Sequence, residues 1–223
     1  MVIGKRESLR LARRAKIIAV AREHFCEHGY AGTAMSAIAA KLGGSKATLW
    51  NHFPSKEALL TAVVEDTASA LQSKISLPDT GGDPIKHLVR LCRAMVDNAV
   101  SPLFIAMRRL IYSEASRQPE LANIFHERGT LRGQRLLAEQ LRLEFGDILR
   151  PVDFVEAARI LLSLCWAGLH ADMMSGVRVA ASTVERDADA AKAATIFLRA
   201  YAKDPASLFA SEAWPPLEDG RQN

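Results

Sequence analysis

Between Thr33 and Pro54 the helical periodicity comes in two short pieces, broken by Gly43-Gly44. Met35, Ile38, Ala39 and Leu42 recur at helical spacing before the glycines, and Lys46 to His52 resumes the pattern after them. Isolated helices shorter than about 12–15 residues are marginal in water, so neither piece holds itself together. Both must lie on longer neighbours, and the sequence supplies them. Ile17, Val20, Ala21, His24, Phe25 and His28 follow the spacing of one buried stripe, which predicts a helix from Leu9 to His28. Gly29 stands where a left-handed C-terminal cap is expected, and Tyr30-Ala31-Gly32 reads as a connector. Thr33 is expected to cap the second helix and Ser45 the third. Pro54 stops the third, and Ser55 caps a fourth from Lys56 to Lys74.

Two short helices joined by a glycine turn form the helix-turn-helix pattern. Gly43 relieves the turn, Ala39 and Ala40 leave room for close approach, and Ile38 with Leu49 locks the pair. Ser45 and Lys46 set backbone N–H groups and a cation at one helix end, where a phosphate binds well. Ser45, Lys46, Ala47, Thr48 and Asn51 are small or polar enough to enter a major groove. Charge agrees. Residues 1–60 hold ten Lys/Arg against four acids, while the whole chain is only +4, so a basic head precedes a mildly acidic body.

The remainder also reads as helix, with no run of alternating β-branched residues. Residues 76–84 (SLPDTGGDP) form a boundary-like loop. Helices are expected at Ile85–Ala99, Pro102–Arg117, Gln118–Phe145, Val152–Ser175 and Thr183–Lys203, with Pro102, Pro119 and Pro151 in first-turn positions. The tail from Pro205 is expected to be irregular. The expected organisation is therefore all-α: a DNA-binding head at 1–56, a larger helical domain at 57–204 and a tail at 205–223.

Other classes find little support. No apolar run reaches the roughly 18 residues of a membrane span; the most apolar stretch, Ala157 to Leu169, is interrupted by Arg159. The basic start lacks the apolar segment and cleavage site of a signal peptide, although its arginines mimic a transit peptide. Cys26, Cys92 and Cys165 are too few and too scattered for a disulfide framework, and read as reduced thiols of a cytoplasmic protein. His24 and His28 share a helical face but have no evident third ligand, so no metal is expected. No nucleophile–base pair, phosphate loop or other cofactor motif is apparent, and no enzymatic activity is expected.

The string FCEHGYAGTAMSAIAAKLGGSKATLWNHFPSKEALL resembles the TetR family of bacterial regulators. The matching residues are Phe25, Gly29, Tyr30, Thr33, Ile38, Ala39, Gly43, Ser45, Leu49, His52, Phe53 and Lys56. The resemblance implies that Thr33 touches phosphate, that Ser45, Ala47 and Thr48 face bases or nearby phosphates, and that Lys46, Trp50, His52 and Lys56 hold the DNA backbone. Two positions depart from the pattern. Trp50 stands in place of a tyrosine and offers an N–H donor that cannot accept. Gly44 stands in place of a valine and removes an apolar contact from the turn.

The segment PLFIAMRRLIYSEASRQPELANIFHERG resembles the C-terminal domain of the AefR-like branch, through Arg109, Leu110, Glu114, Pro119, Glu120, Leu121 and Phe125. That resemblance implies a dimer and a small-molecule ligand. The residues agree: Ile160, Leu161, Leu162, Leu164, Cys165, Trp166 and Leu169 make one helix apolar on nearly all faces, as a helix buried on two sides must be. With the last long helix it would form a four-helix bundle between two copies. Met95, Phe104, Met107, Arg108, Tyr112, Trp166 and His170 are candidate walls of a pocket for an apolar or amphipathic ligand. The function expected is a cytoplasmic homodimeric repressor released from its operator by that ligand. An activator on the same fold, and a ligand-binding protein or enzyme whose head serves only for packing, remain as alternatives.

Overall fold

A computed structural model describes residues 4–43, 46–75 and 83–209 and, for residues 70–75, the backbone alone. All elements among them are helical: α1 (Lys5–Gly32), α2 (Met35–Lys41), α3 (Lys46–His52), α4 (Lys56–Ile75), α5 (Pro84–Ala99), α6 (Pro102–Glu114), α7 (Pro119–Ile124), a π-helical segment π1 (Phe125–Leu131), α8 (Arg132–Phe145), α9 (Phe154–Trp166), α10 (Leu169–Ser175), α11 (Thr183–Tyr201) and α12 (Pro205–Phe209). Extended pairing among the described residues is limited to one antiparallel bridge between Leu149 and Ala202. No single described helix is long and apolar enough to cross a membrane.

Several boundaries differ from expectation. α1 begins at Lys5 rather than Leu9 and continues for one turn past a break at Gly29, whose φ is 73°. The stretch expected as one helix from Gln118 to Phe145 has π geometry in its middle, where Gly129 and the β-branched Thr130 weaken α-helix. The absent side chain of Gly129 admits α4: a Cβ there would stand 3.3 Å from Val64 Cγ1. The stretch expected from Val152 to Ser175 starts later and breaks once. Asp153 caps α9 by accepting from the Val155 and Glu156 amides at 2.8 and 3.3 Å, leaving Pro151 outside the first turn. α6 ends at Glu114 rather than Arg117. The tail expected to be irregular opens with α12; the part beyond Phe209 lies outside the described residues.

Contacts group the chain into two compact units that are not sequential: residues 1–70 with 102–132, and residues 71–101 with 133–223. In the first unit Ile17, Phe25, Ile38, Leu49, Leu60 and Val63 share one apolar cluster with Met107, Leu110 and Ile111 of α6. Thus α6 completes the core on which the short helices depend. In the second unit α5, α9 and α11 pack on one another, and α10 packs on all three. Cys92 and Cys165 are buried free thiols there; burial first, and a hydrogen bond with Cys165 second, hold the Cys92 thiol well above its ordinary range. Such a thiol is chemically quiet.

α9 corrects the expectation of two apolar sides. Leu161, Leu162 and Cys165 are buried within the unit, and Ile160, Leu164 and Trp166 are half-buried. The outward face is Val155, Glu156, Arg159, Ser163 and Ala167, which is mixed rather than apolar.

The break between α9 and α10 is built around Asp189 of α11. Its Oδ2 accepts from the Leu169 amide at 2.8 Å. A Cβ on Gly168 would lie 2.3 Å from that oxygen, so only glycine lets the carboxylate reach the start of α10. Gly168→Ala is expected to drive Asp189 off the amide and to cost about 1–3 kcal/mol in a denaturation measurement. Because the two residues compete for one space, Gly168→Ala with Asp189→Ala should lose less than the sum of the single changes. Additive losses would show that Asp189 is not what the glycine accommodates.

Candidate nucleic-acid interface

The turn between α2 and α3 starts at Gly43, which adopts φ 62° with open space around its Cβ position. That conformation suits glycine and ends α2. Gly44 and Ser45 lie outside the described residues, and with them the cap and base contact expected of Ser45. At about 100° per residue, Lys46, Trp50, Ala47 and Asn51 fall on one arc of α3. All four are exposed, Trp50 to 42%. Leu49 is buried on the opposite side, with Phe53 just beyond the helix. Thr48 is half-buried beside the arc, next to Asn51, and His52 is half-buried between Thr48 and Leu49. The exposed arc is thus a cation, a methyl, an indole and an amide, carried on an apolar backing shared with Ile38. Ala39 is buried as the tight approach requires, whereas Ala40 is exposed and has no part in it.

Thr33 does not cap α2. The N-cap is Ala34, without a side-chain bond, and Thr33 is 2% exposed. Its hydroxyl donates backward, to the carbonyls of Gly29 at 2.7 Å and His24 at 3.1 Å. The break at Gly29 turns the chain there, and the Thr33 amide goes to the Tyr30 carbonyl while its hydroxyl reaches the two carbonyls behind it. Buried and so engaged, Thr33 fixes the entry to α2 and has no hydroxyl proton left for a phosphate.

Lys56 is likewise turned inward. Its Nζ donates to the carbonyls of Tyr30 at 2.8 Å and Thr33 at 3.0 Å, and stands 4.2 Å from the centre of the Tyr30 ring. The expected backbone arm is therefore a clamp that ties the start of α4 to the α1–α2 junction. Ser55 caps α4 as expected, accepting from the Ala58 amide at 3.1 Å. Tyr30 completes the junction by donating its hydroxyl to Glu57 at 2.8 Å. Residue types alone give no sign of this group, because its members are far apart in sequence.

The junction has a pH signature. The backbone amide of Glu57 itself, then the hydroxyls of Tyr30 and Ser55, hold the Glu57 carboxyl below its ordinary value. A carboxyl depressed in the folded state adds stability above its unfolded pKa and loses it as pH falls through the folded one. Tyr30→Phe should therefore destabilise the protein at neutral pH by on the order of 1 kcal/mol. The difference should vanish at acid pH, once Glu57 is protonated in both proteins. A difference independent of pH in urea titrations would assign the loss to packing instead.

Around α3, charge is anchored by long-range pairs. Lys41 of α2 meets Glu23 of α1 at 3.2 Å, and Arg22 meets Asp66 of α4 at 3.1 Å. Both are largely solvated and add little energy. Arg14 lays its guanidinium over the Phe53 ring, 5.1 Å from its centre.

The candidate ligand residues fall in both units. Met107 is buried in the head's apolar cluster. Phe104, Arg108 and Tyr112 succeed one another along α6, with the guanidinium 5.7 and 5.0 Å from the two ring centres and donating to the tyrosine hydroxyl. In the other unit Met95 is buried, Trp166 is half-buried, and His170 is held by a 2.8 Å hydrogen bond between Nδ1 and the Ala99 carbonyl. Among the described residues no group of three or more His, Cys, Asp or Glu is placed to hold a metal.

This arrangement is matched elsewhere. Residues 17–63 match the bacterial regulatory proteins of the tetR family, and residues 86–203 match the AefR-like transcriptional repressor C-terminal domain. The chain is 26% identical over 162 residues to the HTH-type transcriptional regulator UidR of Escherichia coli K12, covering 72% of this chain and 81% of the relative. A TetR-family regulator from Mesorhizobium loti MAFF303099 is similar in structure, with a TM-score of 0.74 and 29% identity over 86% of this chain and 98% of that one. The flavonoid-responsive regulator FrrA is similar at a TM-score of 0.71 and 30% identity, with the same shares covered.

Proposed function

The chain belongs to the TetR family of DNA-binding transcriptional regulators, and from that premise we propose that it is a homodimeric repressor which a small molecule releases from its operator. The observation that carries the DNA half is the arc of Lys46, Ala47, Trp50 and Asn51, exposed on a helix too short to exist without the apolar cluster behind it. Residues 1–56 act as the reading head and 57–204 as the ligand-binding and dimerising part. Lys46 and Trp50 hold phosphates, while Ala47, Thr48 and Asn51 lie toward the bases. His52 sits at the edge of the contact. Thr33 and Lys56 support it from behind rather than touch DNA.

Two copies join through α9 and α11. The surfaces this reading brings together are the mixed outward face of α9, with Val155, Glu156, Arg159 and Ser163, and the side of α11 that exposes Val184. A two-fold dimer then places its α3 helices in successive major grooves of a palindrome, with half-sites about 34–36 Å apart. The ligand is apolar or amphipathic, and the group of Phe104, Arg108 and Tyr112 along α6 is the part of the expected wall that suits it, two rings beside a guanidinium. The similar FrrA is named for its response to flavonoids, which are planar and amphipathic.

Footprinting and gel shift on the DNA upstream of the protein's own gene test the proposal. Symmetric protection with a steep loss of affinity in salt is the expected result. Absence of binding at low salt, with or without candidate ligands, would instead favour a head used only for packing. A reporter in a deletion strain decides the sign of regulation, because loss of a repressor raises target expression.

A further inference from the structure

The first turns of α1 stand outside the apolar cluster of the head. Its buried stripe starts at Ile17, whereas Lys5 to Ala12 are exposed, Leu9 to 64%. Lys5 to Lys16 carries six cations and one carboxylate, Glu7. Glu7 is occupied by Arg10 through two hydrogen bonds of 3.0 and 2.8 Å. Arg14 is held over Phe53, the residue that follows the end of α3. Among the described residues no carboxylate pairs with Lys5, Arg6, Arg13 or Lys16. Uncompensated positive charge therefore begins where α3 ends and runs outward along α1.

This pattern works against the helix that carries it. Like charges three and four residues apart repel, and cations in a first turn oppose the helix dipole. Among the described residues, Glu7 and the Phe53 ring engage only Arg10 and Arg14. A polyanion would offset the cost, and one is already expected a few ångströms away at α3. We infer that Lys5, Arg6, Arg13 and Lys16 form a second DNA contact, which grips the phosphates flanking the segment read by α3. Lys5 to Lys16 rises about 16.5 Å, at about 1.5 Å per residue. B-DNA presents one charge per about 1.7 Å of its axis, so a stretch of that length holds enough phosphates to pair with four cations. The inference rests on the DNA-binding reading above.

The test uses the full chain with Lys5→Ala, Arg6→Ala, Arg13→Ala and Lys16→Ala together, since alanine keeps the helix. Binding is measured on two duplexes: a core trimmed to the palindrome that the two α3 helices read, and that core extended by about one helical turn on each side. On the long duplex the fourfold variant should bind at least about tenfold more weakly, its salt slope falling by about 0.9 for each phosphate it no longer neutralises. On the core duplex it should match the unaltered protein within about twofold, whereas Lys46→Ala weakens both. Equal affinity and slope on the long duplex would overturn the inference while leaving the DNA-binding reading in place. Unaltered protein that ignores both duplexes at low salt would overturn both. The exposed leucine beside the cations makes a lipid surface the rival partner. If the variant loses binding to phosphatidylglycerol vesicles with its DNA isotherm unchanged, the contact is with lipid and the inference falls.

Discussion

Phe25→Ala is expected to lower the unfolding transition that carries the head by roughly 12–40 °C, a larger stability effect than any other change proposed for this chain. Phe25 is 0% exposed and stacks on Tyr30, with ring centres 5.7 Å apart. Removing a buried phenyl ring costs about 3–5 kcal/mol, part lost transfer energy and part cavity. A unit of this size loses about 4–8 °C per kcal/mol. Nothing nearby is placed to fill the space cheaply. Tyr30 is fixed by its bond to Glu57 and by the Lys56 clamp, and the methyl of Ala21 has no reach to extend. The loss reaches function through the fold, because α2 and α3 exist only as long as the cluster holds them. DNA binding should fall with the fraction folded and recover on cooling. Phe25→Leu should restore most of both. A Phe25→Ala protein that melts within a few degrees of the unaltered one would show that the head does not depend on this cluster.

What is legible in the sequence follows a physical line. Periodicity marks the buried face of an element, so spacing alone places Ile17, Phe25, Ile38, Leu49 and Phe53 inside, and all five are buried. Local punctuation is legible too, since Gly29, Gly43 and Ser55 act on neighbours within a few residues. Long-range side-chain choices are not. Thr33 and Lys56 fit a phosphate contact by type and position, yet each is drawn to backbone carbonyls at the end of α1, an arrangement with no sequence signature. The compact units are hidden for a similar reason. The inward stripe of α6 reads as any amphipathic helix, and nothing in Met107, Leu110 or Ile111 says that it completes the head's core. π1 is invisible because α and π segments differ by one hydrogen-bond register, not by composition. For the candidate site, residue type and spacing pick out the exposed Lys46, Ala47 and Asn51 but also take in Thr48, which is half-buried; the exposed Trp50 comes only from the resemblance, and contacts are not separated from supports.

That separation gives the second large effect. Lys46→Ala is expected to weaken operator binding by roughly 10–100-fold at physiological salt and to leave the dimer and the melting transition unchanged. Lys46 opens α3, is exposed and belongs to no ion pair among the described residues, so the fold does not depend on its charge. A dimer presents it twice. If each copy neutralises one phosphate, the slope of log affinity against log salt should shrink by about 0.9 per copy, and equally on operator and unrelated DNA. Lys56→Ala should differ in kind. It loosens the α1–α4 junction and therefore lowers stability first, with binding following the folded fraction. Trp50 adds a finer contrast, because the indole donates but does not accept. If its N–H holds a phosphate, Trp50→Phe should lose as much affinity as Trp50→Ala. If its ring packs on a sugar or a thymine methyl, Trp50→Phe should keep most of the affinity. Full-affinity binding by Lys46→Ala with an unchanged salt slope would remove α3 from the DNA contact altogether. The flanking cations of α1 would then be the only contact left to explain an operator.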